Sequence, residues 1–350
     1  MLSITPLLSA EYFAEITKTI TTAAKGDTIL LMSMTFDPRE SGMIELVEAM
    51  ETAGERGANV TLIIDAHSFM FEPNGWPTGP VLWRAALNKD SSRYYKHKFK
   101  IIDRLEAAGC TVHMINSPKR TIGNPYGGRS HIKTTIINST VYLGGCNLSG
   151  DESIDMMVRF DDQKSADYLY EHCIHIATVG NAREALTKDL SFELDGATTL
   201  LLDSGKRKIS LIYDTALKLI DDAHKSIVMT CQFFPDKRTV THLEKAIARG
   251  VDVTLYFNDP SKQIGPTAIG HHLVAAKAKH LSHATLSEHK LPTSKPHMHL
   301  KLIATEQGAI IGSHNYVEAG VKFGTAEIAL VRMDQGFSET LVSKARTLLD

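Results

Sequence analysis

The stretch HIKTTIINSTVYLGGCN at residues 131–147 has a counterpart in HLKLIATEQGAIIGSHN at residues 299–315. Each copy begins with His-x-Lys, continues through an apolar run and ends in a glycine turn followed by Asn. Because side chains alternate along a strand, we expect His and Lys on the same face, and the apolar run predicts a buried strand. One His-x-Lys alone means little, whereas two copies with the same spacing indicate a duplicated functional unit.

The similarity between the two parts of the chain extends beyond these stretches. Residues 24–38 resemble residues 223–235, and residues 56–65 match residues 249–258 almost position for position. The segment between residue 65 and the first motif is longer than the segment between residue 258 and the second motif. The difference places an insertion at about residues 67–98. Self-similarity of this extent indicates that the whole chain is two copies of one unit.

Both halves show the same alternation of amphipathic helices and apolar strands. Helices are predicted at residues 10–24, 43–56, 99–108, 164–179, 209–223, 240–249, 269–279 and 338–349. Strands are predicted at residues 28–36, 59–65, 111–115, 226–233, 252–257 and 284–287, with the motif strands following in each half. This alternation is typical of the α/β class with mixed sheets. We therefore predict two tandem α/β sandwich domains, residues 1–180 and 181–350, with a hairpin at residues 191–202 that turns at Asp195-Gly196.

Two copies of one unit suggest a pseudo-two-fold axis that brings both motifs into one active site at the domain interface. The alternative is a pair of independent domains with two separate sites. The shared site is favoured because neither half alone supplies the pairs of groups described below.

Bulk composition limits the class of protein. The chain has 350 residues, of which 43% are hydrophobic and 22% charged, as in soluble globular proteins. Its net charge of −2 gives no global attraction to nucleic acid or anionic lipid. Four cysteines without a CxxC pair indicate neither a zinc cluster nor a disulfide framework. With no membrane-length apolar run and no signal peptide pattern, we expect a cytoplasmic protein that can meet a membrane only peripherally.

The side chains of the two motifs suit chemistry at a phosphate. Two histidines, His131 and His299, could divide the work, one attacking as neutral imidazole and the other protonating the leaving oxygen. Lysines and asparagines accompany them as cations and neutral donors: Lys133, Lys301, Asn147 and Asn315. Such a set suits a phosphodiester that passes through a phosphohistidine, and the sequence requires neither a metal ion nor another cofactor.

Each imidazole also needs an acceptor that orients its second nitrogen. Alignment of the strands after the two motifs pairs Asp155 with Glu327, and both are candidates for this function. For Asp155, an exposed acid at a strand end is the alternative.

The doubled motif resembles the phospholipase D superfamily, whose signature is H-x-K-x4-D followed by a G-[SG]-x-N turn, present twice. The resemblance covers both halves. It implies that His131 and His299 are nucleophile and acid, with His131 the expected nucleophile. It also implies that the lysines and asparagines named above bind the phosphate, and that Glu327 is the acid found after the second motif in many members.

Two positions depart from this signature, and a third has the Gly form of the turn. Asn138 and Glu306 replace the motif Asp, and Gly145 replaces Ser in the first turn. If the motif acid mainly braces the loop through hydrogen bonds, Asn138 can serve; if its charge matters, the first half is weakened. The G-G-x-N form resembles bacterial cardiolipin synthases and related phosphatidyltransferases.

Substrate choice is expected to depend on the first half. Trp76 and Trp83 lie in the insertion, which could enter a lipid interface or wall an acyl pocket, or pack as a flap on its own domain. Residues 93–100 are basic with interleaved aromatics, which suits a lipid headgroup, a single-stranded nucleic acid or a solvated helix start. Arg129, which adds positive charge before His131, and Ser313 of the second turn are further candidates for substrate binding.

These observations predict a phosphodiesterase or phosphatidyltransferase that acts on phospholipids at a membrane surface, similar to cardiolipin synthases or phospholipases D. A metal-independent nuclease or nucleic-acid phosphodiesterase is the alternative, which the net charge of −2 disfavours. A catalytically silent scaffold is a third hypothesis, and the intact His, Lys and Asn of both copies argue against it.

Overall fold

Two mixed β-sheets, one in each half of the chain, form the framework of the protein. A computed structural model describes residues 2–69, 96–117, 128–258, 286–291 and 296–349. Sheet 1 consists of β1 (Ile4–Leu8), β2 (Thr28–Ser33), β3 (Asn59–Asp65), β4 (Thr111–Ile115), β5 (Thr134–Ile137), β6 (Thr140–Gly144) and β7 (Met156–Asp161). Their order across the sheet is β1-β7-β6-β5-β2-β3-β4. Strands β2, β3 and β4 are parallel, and the other neighbours are antiparallel.

Sheet 2 repeats this plan and adds one strand at its edge. It consists of β8 (Leu190–Asp195), β9 (Thr198–Ser204), β10 (Ser226–Cys231), β11 (Asp252–Asn258), β12 (Leu286–Leu291), β13 (Leu302–Thr305), β14 (Ala309–Gly312) and β15 (Ala326–Arg332). Their order is β12-β11-β10-β13-β14-β15-β9-β8. Strand β9 pairs with β15 as β1 pairs with β7, and β8 and β9 form the predicted hairpin.

Helices cover both faces of the sheets. They are α1 (Ser9–Thr21), α2 (Met43–Glu55), α3 (Lys96–Ala107), α4 (Gln163–Val179), α5 (Ala182–Ala185), α6 (Leu211–Asp222), α7 (Lys237–Ala248), α8 (Glu318–Phe323) and α9 (Gln335–Leu349). Ser210 caps α6 and Asp236 caps α7, because each side chain accepts backbone amides of the first turn. Among the described residues, no helix is long and apolar enough to cross a membrane.

The predicted order of elements is confirmed in the described part of the chain, with differences at the ends. Helices α3, α7 and α9 begin three residues before their predicted starts, because their first two residues are polar or Gly and escape the apolar periodicity. Strand β2 ends at Ser33, whose hydroxyl donates to the carbonyl of Thr35 at 2.8 Å and turns the chain. Strand β1 was not predicted; it contains Pro6, which an edge strand tolerates. The predicted helix at 269–279 and most of the insertion lie outside the described residues.

One apolar core joins the two halves. Helices α4 and α9 share it with the inner faces of both sheets. The outer face of sheet 1 packs on α1, α2 and α3, and that of sheet 2 packs on α6 and α7. The predicted tandem α/β architecture is therefore confirmed, with the two halves fused through a common core.

Reciprocal backbone hydrogen bonds bring the two motifs to the interface. The amide of Ala326 donates to the carbonyl of Arg129 at 2.9 Å, and the amide of His131 donates back to Ala326 at 2.7 Å. In the other half, the amide of His299 donates to the carbonyl of Ile154 at 2.8 Å. Each motif histidine is thus fixed, through its backbone, to the strand of the opposite half that carries the predicted acid.

Candidate active site

The His-x-Lys segments immediately precede β5 and β13, which are interior strands of the two sheets. Lys133 is fully buried, and its Nζ donates to the carbonyl of His131 at 2.9 Å. Lys301 is equally buried and donates to the carbonyl of His299. The ammonium group of each lysine therefore lies within hydrogen-bond distance of the backbone of its own motif histidine.

The two histidines face one another across the interface. Their ring centroids are 6.3 Å apart, and the ring planes are inclined by 74°. His131 is 7% exposed, so little water reaches it. At this separation both rings can address the same phosphorus atom, as the prediction of one shared site requires.

Each histidine is oriented by an acid of the opposite half. Nδ1 of His131 lies 2.9 Å from Oε2 of Glu327, and Nδ1 of His299 lies 2.7 Å from Oδ2 of Asp155. An ionised carboxylate only accepts hydrogen bonds, so Nδ1 of each ring carries the proton. The Nε2 lone pair of each neutral imidazole is thereby left for chemistry.

The two acids are supported in different ways. The hydroxyl of Ser313 donates to Oε2 of Glu327 at 2.5 Å. At the equivalent turn position, a Cβ on Gly145 would lie 2.1 Å from Oδ1 of Asp155. In the first half, Asp155 occupies the space that a side chain at Gly145 would need. The second half instead combines Ser313 with the longer acid, Glu327. This explains the replacement of Ser by Gly in the first turn.

Burial and the neighbouring cations keep the imidazoles neutral. Burial, followed by the charges of Lys133 and Lys301, holds the pKa of His131 well below its usual range. Burial and then Lys301 lower the pKa of His299 to about 3. Burial also lowers the pKa of Lys133 to about 7 and that of Lys301 to about 8, although both carboxylates oppose it.

The two carboxylates respond differently to burial. Burial raises the pKa of Glu327, and the neighbouring His314, Lys133 and Ser313 offset it only in part. For Asp155, the charge of Lys301 and the hydrogen bond from His299 outweigh burial and lower the pKa. The pKa values of the two acids are thus shifted in opposite directions.

The two motif asparagines end the turns that follow β6 and β14. Oδ1 of Asn147 accepts a long hydrogen bond of 3.4 Å from Ser33. Oδ1 of Asn315 is buried and has no hydrogen-bond partner within the described part of the chain. A buried amide atom without a partner has the capacity to bind a ligand.

A second pair of repeat positions, which the sequence did not single out, fixes the approach to each histidine. Oδ2 of Asp65 accepts from the amide of Ser130 at 2.7 Å, and Oδ1 of Asn258 accepts from the amide of Met298 at 2.9 Å. Both acceptors end a parallel strand, β3 or β11, and both contact the residue immediately before the motif histidine. The match between residues 56–65 and 249–258 was the sequence signal that could have revealed these two residues.

The predicted substrate-binding residues are placed as follows. Arg129 is buried, and its Nη1 donates to Oδ1 of Asp65 at 3.0 Å and to the carbonyl of Asn116 at 2.8 Å. Ser313 contacts Glu327, as described above. Trp76 and Trp83 lie outside the described residues.

The positions of the missing motif Asp are remote from the chemistry. Oδ1 of Asn138 accepts from the amide of Thr28 at 2.9 Å, and Glu306 accepts from the amide of Ser226 at 3.2 Å. Thr28 and Ser226 begin β2 and β10, which are equivalent strands. At both positions the side chain therefore accepts a backbone amide at the start of a strand.

The described residues contain no cluster of three or more His, Cys, Asp or Glu side chains arranged to hold a metal ion. All four cysteines are buried and free.

Comparison with known proteins gives a family and a fold. A family model described as cardiolipin synthase, PLD-like domain, matches residues 16–175 and 216–348. No curated protein sequence matches the chain. The crystal structure of phosphatidylserine synthase from Haemophilus influenzae Rd KW20 superposes with a TM-score of 0.69 at 13% identity, covering 99% of this chain and 85% of that one. Polyphosphate kinase from Porphyromonas gingivalis superposes with a TM-score of 0.59 at 11% identity over all of this chain, which spans 50% of that protein. At these identities the two structures establish the fold alone.

Proposed function

The chain belongs to the family of cardiolipin synthase, phospholipase D-like domains, and from this we propose that it is a phosphodiesterase or phosphatidyltransferase that acts on phospholipids through a phosphohistidine. The observation that carries the proposal is the reciprocal pairing of the two histidines with acids of the opposite half. His131 contacts Glu327 and His299 contacts Asp155, with the rings 6.3 Å apart. Such an arrangement supplies a nucleophile and a general acid to one phosphorus atom.

In the first step, Nε2 of neutral His131 attacks the phosphorus, and the bond from phosphorus to the leaving oxygen breaks. His299 gives the proton on its Nε2 to that oxygen, which releases an alcohol and leaves phosphatidyl-His131. In the second step, water or an acceptor alcohol gives a proton back to His299 and attacks the phosphorus. The bond to His131 then breaks, and the product carries either a free phosphate oxygen or a new headgroup.

Charge balance explains how His299 can act as an acid although its pKa in the free protein is about 3. With both imidazoles neutral, the two lysines and the two carboxylates cancel. A bound phosphodiester adds one negative charge, and a proton on His299 restores neutrality. Substrate binding therefore raises the pKa of His299, because the anion offsets the cations that depress it.

The remaining motif groups bind the substrate. Lys133 and Lys301 are held within reach of the phosphate by their hydrogen bonds to the motif histidine carbonyls. Their charges stabilise the additional negative charge of the transition state in a nearly dry site. Asn147 and Asn315 supply amide donors from the two turns.

A phospholipid is the proposed substrate because of the family description and because the chain has a net charge of −2. A nuclease needs a broad cationic groove to bind its polymer. The proposed location is the cytoplasm, with peripheral attachment to a membrane. Contacts of Trp76 and Trp83 with the acyl chains or the interface belong to the same proposal.

The test compares two substrates under one condition. The protein is incubated in a chelator-containing buffer with phosphatidylglycerol vesicles and, separately, with single- and double-stranded DNA. We expect turnover of the lipid, which His131→Ala and His299→Ala each abolish. Turnover of DNA without turnover of lipid would establish the nuclease instead, and full activity in either variant would exclude the shared-site mechanism.

A further inference from the structure

A compact surface beside the active site combines exposed cations with exposed apolar side chains. Lys206, Arg207 and Lys208 lie in the segment that links β9 to α6, and all three are exposed. Ile209, the next residue, is 56% exposed, and Phe323 at the end of α8 is 40% exposed. These five residues are called the linker patch below. Ile44, Val179 and Met333 are the other large apolar side chains exposed to a similar degree in the described part of the chain, and they lie outside this surface.

Hydrogen bonds hold the two segments of the linker patch together. The amide of Lys208 donates to the carbonyl of Val321 at 2.8 Å. Arg183 bridges the two segments, because its Nε donates to the carbonyl of Gly205 at 2.9 Å and its Nη2 donates to the carbonyl of Phe323 at 2.8 Å. Lys208 adopts a φ of 68°, a left-handed conformation that a lysine avoids unless its surroundings impose it. The backbone of the two segments that form the patch is therefore held in place.

The linker patch lies next to the catalytic centre. The amide of Gly128 donates to the carbonyl of Phe323 at 3.3 Å. Gly128 precedes His131 by three residues, so their Cα atoms are within about 11 Å of each other. On the other side, Ala326 follows Phe323 by three residues and accepts the amide of His131. A ligand bound to the patch would therefore lie close to the active site.

We propose that the linker patch docks the protein on an anionic phospholipid bilayer and so presents the active site to the membrane surface. This proposal rests on the proposed function for its choice of substrate. Lysine and arginine side chains attract the negative headgroups, and apolar side chains between them enter the boundary between headgroups and acyl chains. The cations act locally, because the chain as a whole has a net charge of −2.

The apolar members favour a bilayer over nucleic acid as the partner. Ile209 and Phe323 would gain free energy by leaving water for the interfacial region. A phosphate backbone would contact the three cations but leave Ile209 without an apolar neighbour. Lys322, which is adjacent, is paired with Glu318 at 2.7 Å and is not counted among the docking cations.

The experiment measures co-sedimentation with vesicles of phosphatidylglycerol and phosphatidylcholine in equal parts, and with phosphatidylcholine alone, at 0.1 M salt. One variant removes the cations (Lys206→Gln, Arg207→Gln and Lys208→Gln). We expect its partition onto anionic vesicles to fall by about a hundredfold relative to the wild type, since each of the three cations near such a surface contributes roughly a factor of five. The variant Ile209→Ser should bind several-fold more weakly, and Phe323→Ser should add to this loss.

A matched control removes the same charge elsewhere. Lys18, Lys25 and Lys245 are exposed and lie away from the linker patch. The triple variant Lys18→Gln, Lys25→Gln and Lys245→Gln should bind vesicles within about threefold of the wild type. Because all the altered side chains are exposed, circular dichroism should show the same fold in every variant.

Three results would overturn the docking proposal. They are equal losses in the two triple variants, no binding of the wild type to anionic vesicles, and binding of single-stranded DNA in place of vesicles through these residues. The proposed function is tested separately by headgroup release. Patch-dependent binding without any headgroup release would support docking and reject the proposed function.

Discussion

Nδ1 of His131 lies 2.9 Å from Oε2 of Glu327, which is 196 residues further along the chain and belongs to the other half. His299 and Asp155 form the reverse pair. Because the exchange is reciprocal, neither half contains a complete histidine–acid pair. The backbone hydrogen bonds between the same segments fix the exchange at the level of the main chain.

The first prediction concerns the acid that orients the expected nucleophile. In Glu327→Gln, the amide oxygen can still accept from Nδ1 of His131, but the negative charge that stabilises the ring during attack is lost. We expect headgroup release from phosphatidylglycerol to fall roughly 10³- to 10⁴-fold, as for other orienting carboxylates. Glu306→Gln is the control, because Glu306 accepts the backbone amides of His224 and Ser226 near the start of β10 and the variant should retain activity. Near-normal turnover in Glu327→Gln would contradict the assignment.

The second prediction follows from the different residues at the two turns. Gly145→Ser should displace Asp155, because the new Cβ would lie 2.1 Å from Oδ1 of that acid. His299 would then lose its acceptor, and we expect turnover to fall at least a hundredfold. The double variant Gly145→Ser with Asp155→Glu reproduces the serine–glutamate combination of the second half.

This double variant should therefore recover part of the lost activity. The steady-state rates of the two variants and of Asp155→Glu alone form a complete cycle, which isolates the coupling between the two positions. Additive losses in that cycle would mean that the turn residue and the acid are independent.

The sequence predicted most of the described elements, and it singled out the histidines and acids that the structure brings together between the two halves. The repeat fixed the equivalence of Asp155 with Glu327, because alignment within one chain needs no tertiary information. It did not reveal that each acid contacts the histidine of the opposite half, since sequence spacing does not indicate which copies meet across an interface. The function of Asp65 was missed for a related reason. Its partner, Ser130, is distant in sequence, and a carboxylate at a strand end has many structural explanations.

The third prediction tests the electrostatic coupling between the motifs. Burial and then the charge of Lys301 hold the pKa of His299 at about 3. Lys301→Met keeps the length of the side chain but removes the charge, while Asp155, which raises the pKa, remains in place. The pKa of His299 should therefore rise, as measured by NMR titration of the imidazole nitrogens, with His299→Gln used to assign the signal. Lys322→Met alters an exposed lysine of a surface ion pair and should leave the pKa unchanged. A constant or lower pKa in Lys301→Met would show that the lysine charge does not act on the ring.

The fourth prediction concerns a buried acid that lies directly opposite Glu327 on the neighbouring strand. Asp203 on β9 is opposite Glu327 on β15 and is 1% exposed. Burial raises its pKa to about 8, although Ser210 and the amide of Ile212 donate hydrogen bonds to it. The unfolded chain ionises this group near pH 4, so between about pH 4 and pH 8 the folded protein binds more protons than the unfolded one. The free energy of unfolding should therefore decrease as the pH rises through this window, by about 1.4 kcal/mol per pH unit for this group.

Asp203→Asn removes that proton uptake and keeps the shape of the side chain. Between pH 5 and pH 7, the free energy of unfolding of the wild type should fall by roughly 3 kcal/mol relative to the variant, because all other groups titrate equally in both. Urea denaturation at pH 5, 6, 7 and 8 measures the difference. Asp195→Asn is the matched control: hydrogen bonds, first from the amide of Leu2, lower the pKa of Asp195 to about 2, so its titration falls below this window. Parallel pH profiles for the wild type and Asp203→Asn would mean that Asp203 is ionised in the folded protein, and that its hydrogen bonds from Ser210 and Ile212 outweigh the effect of burial.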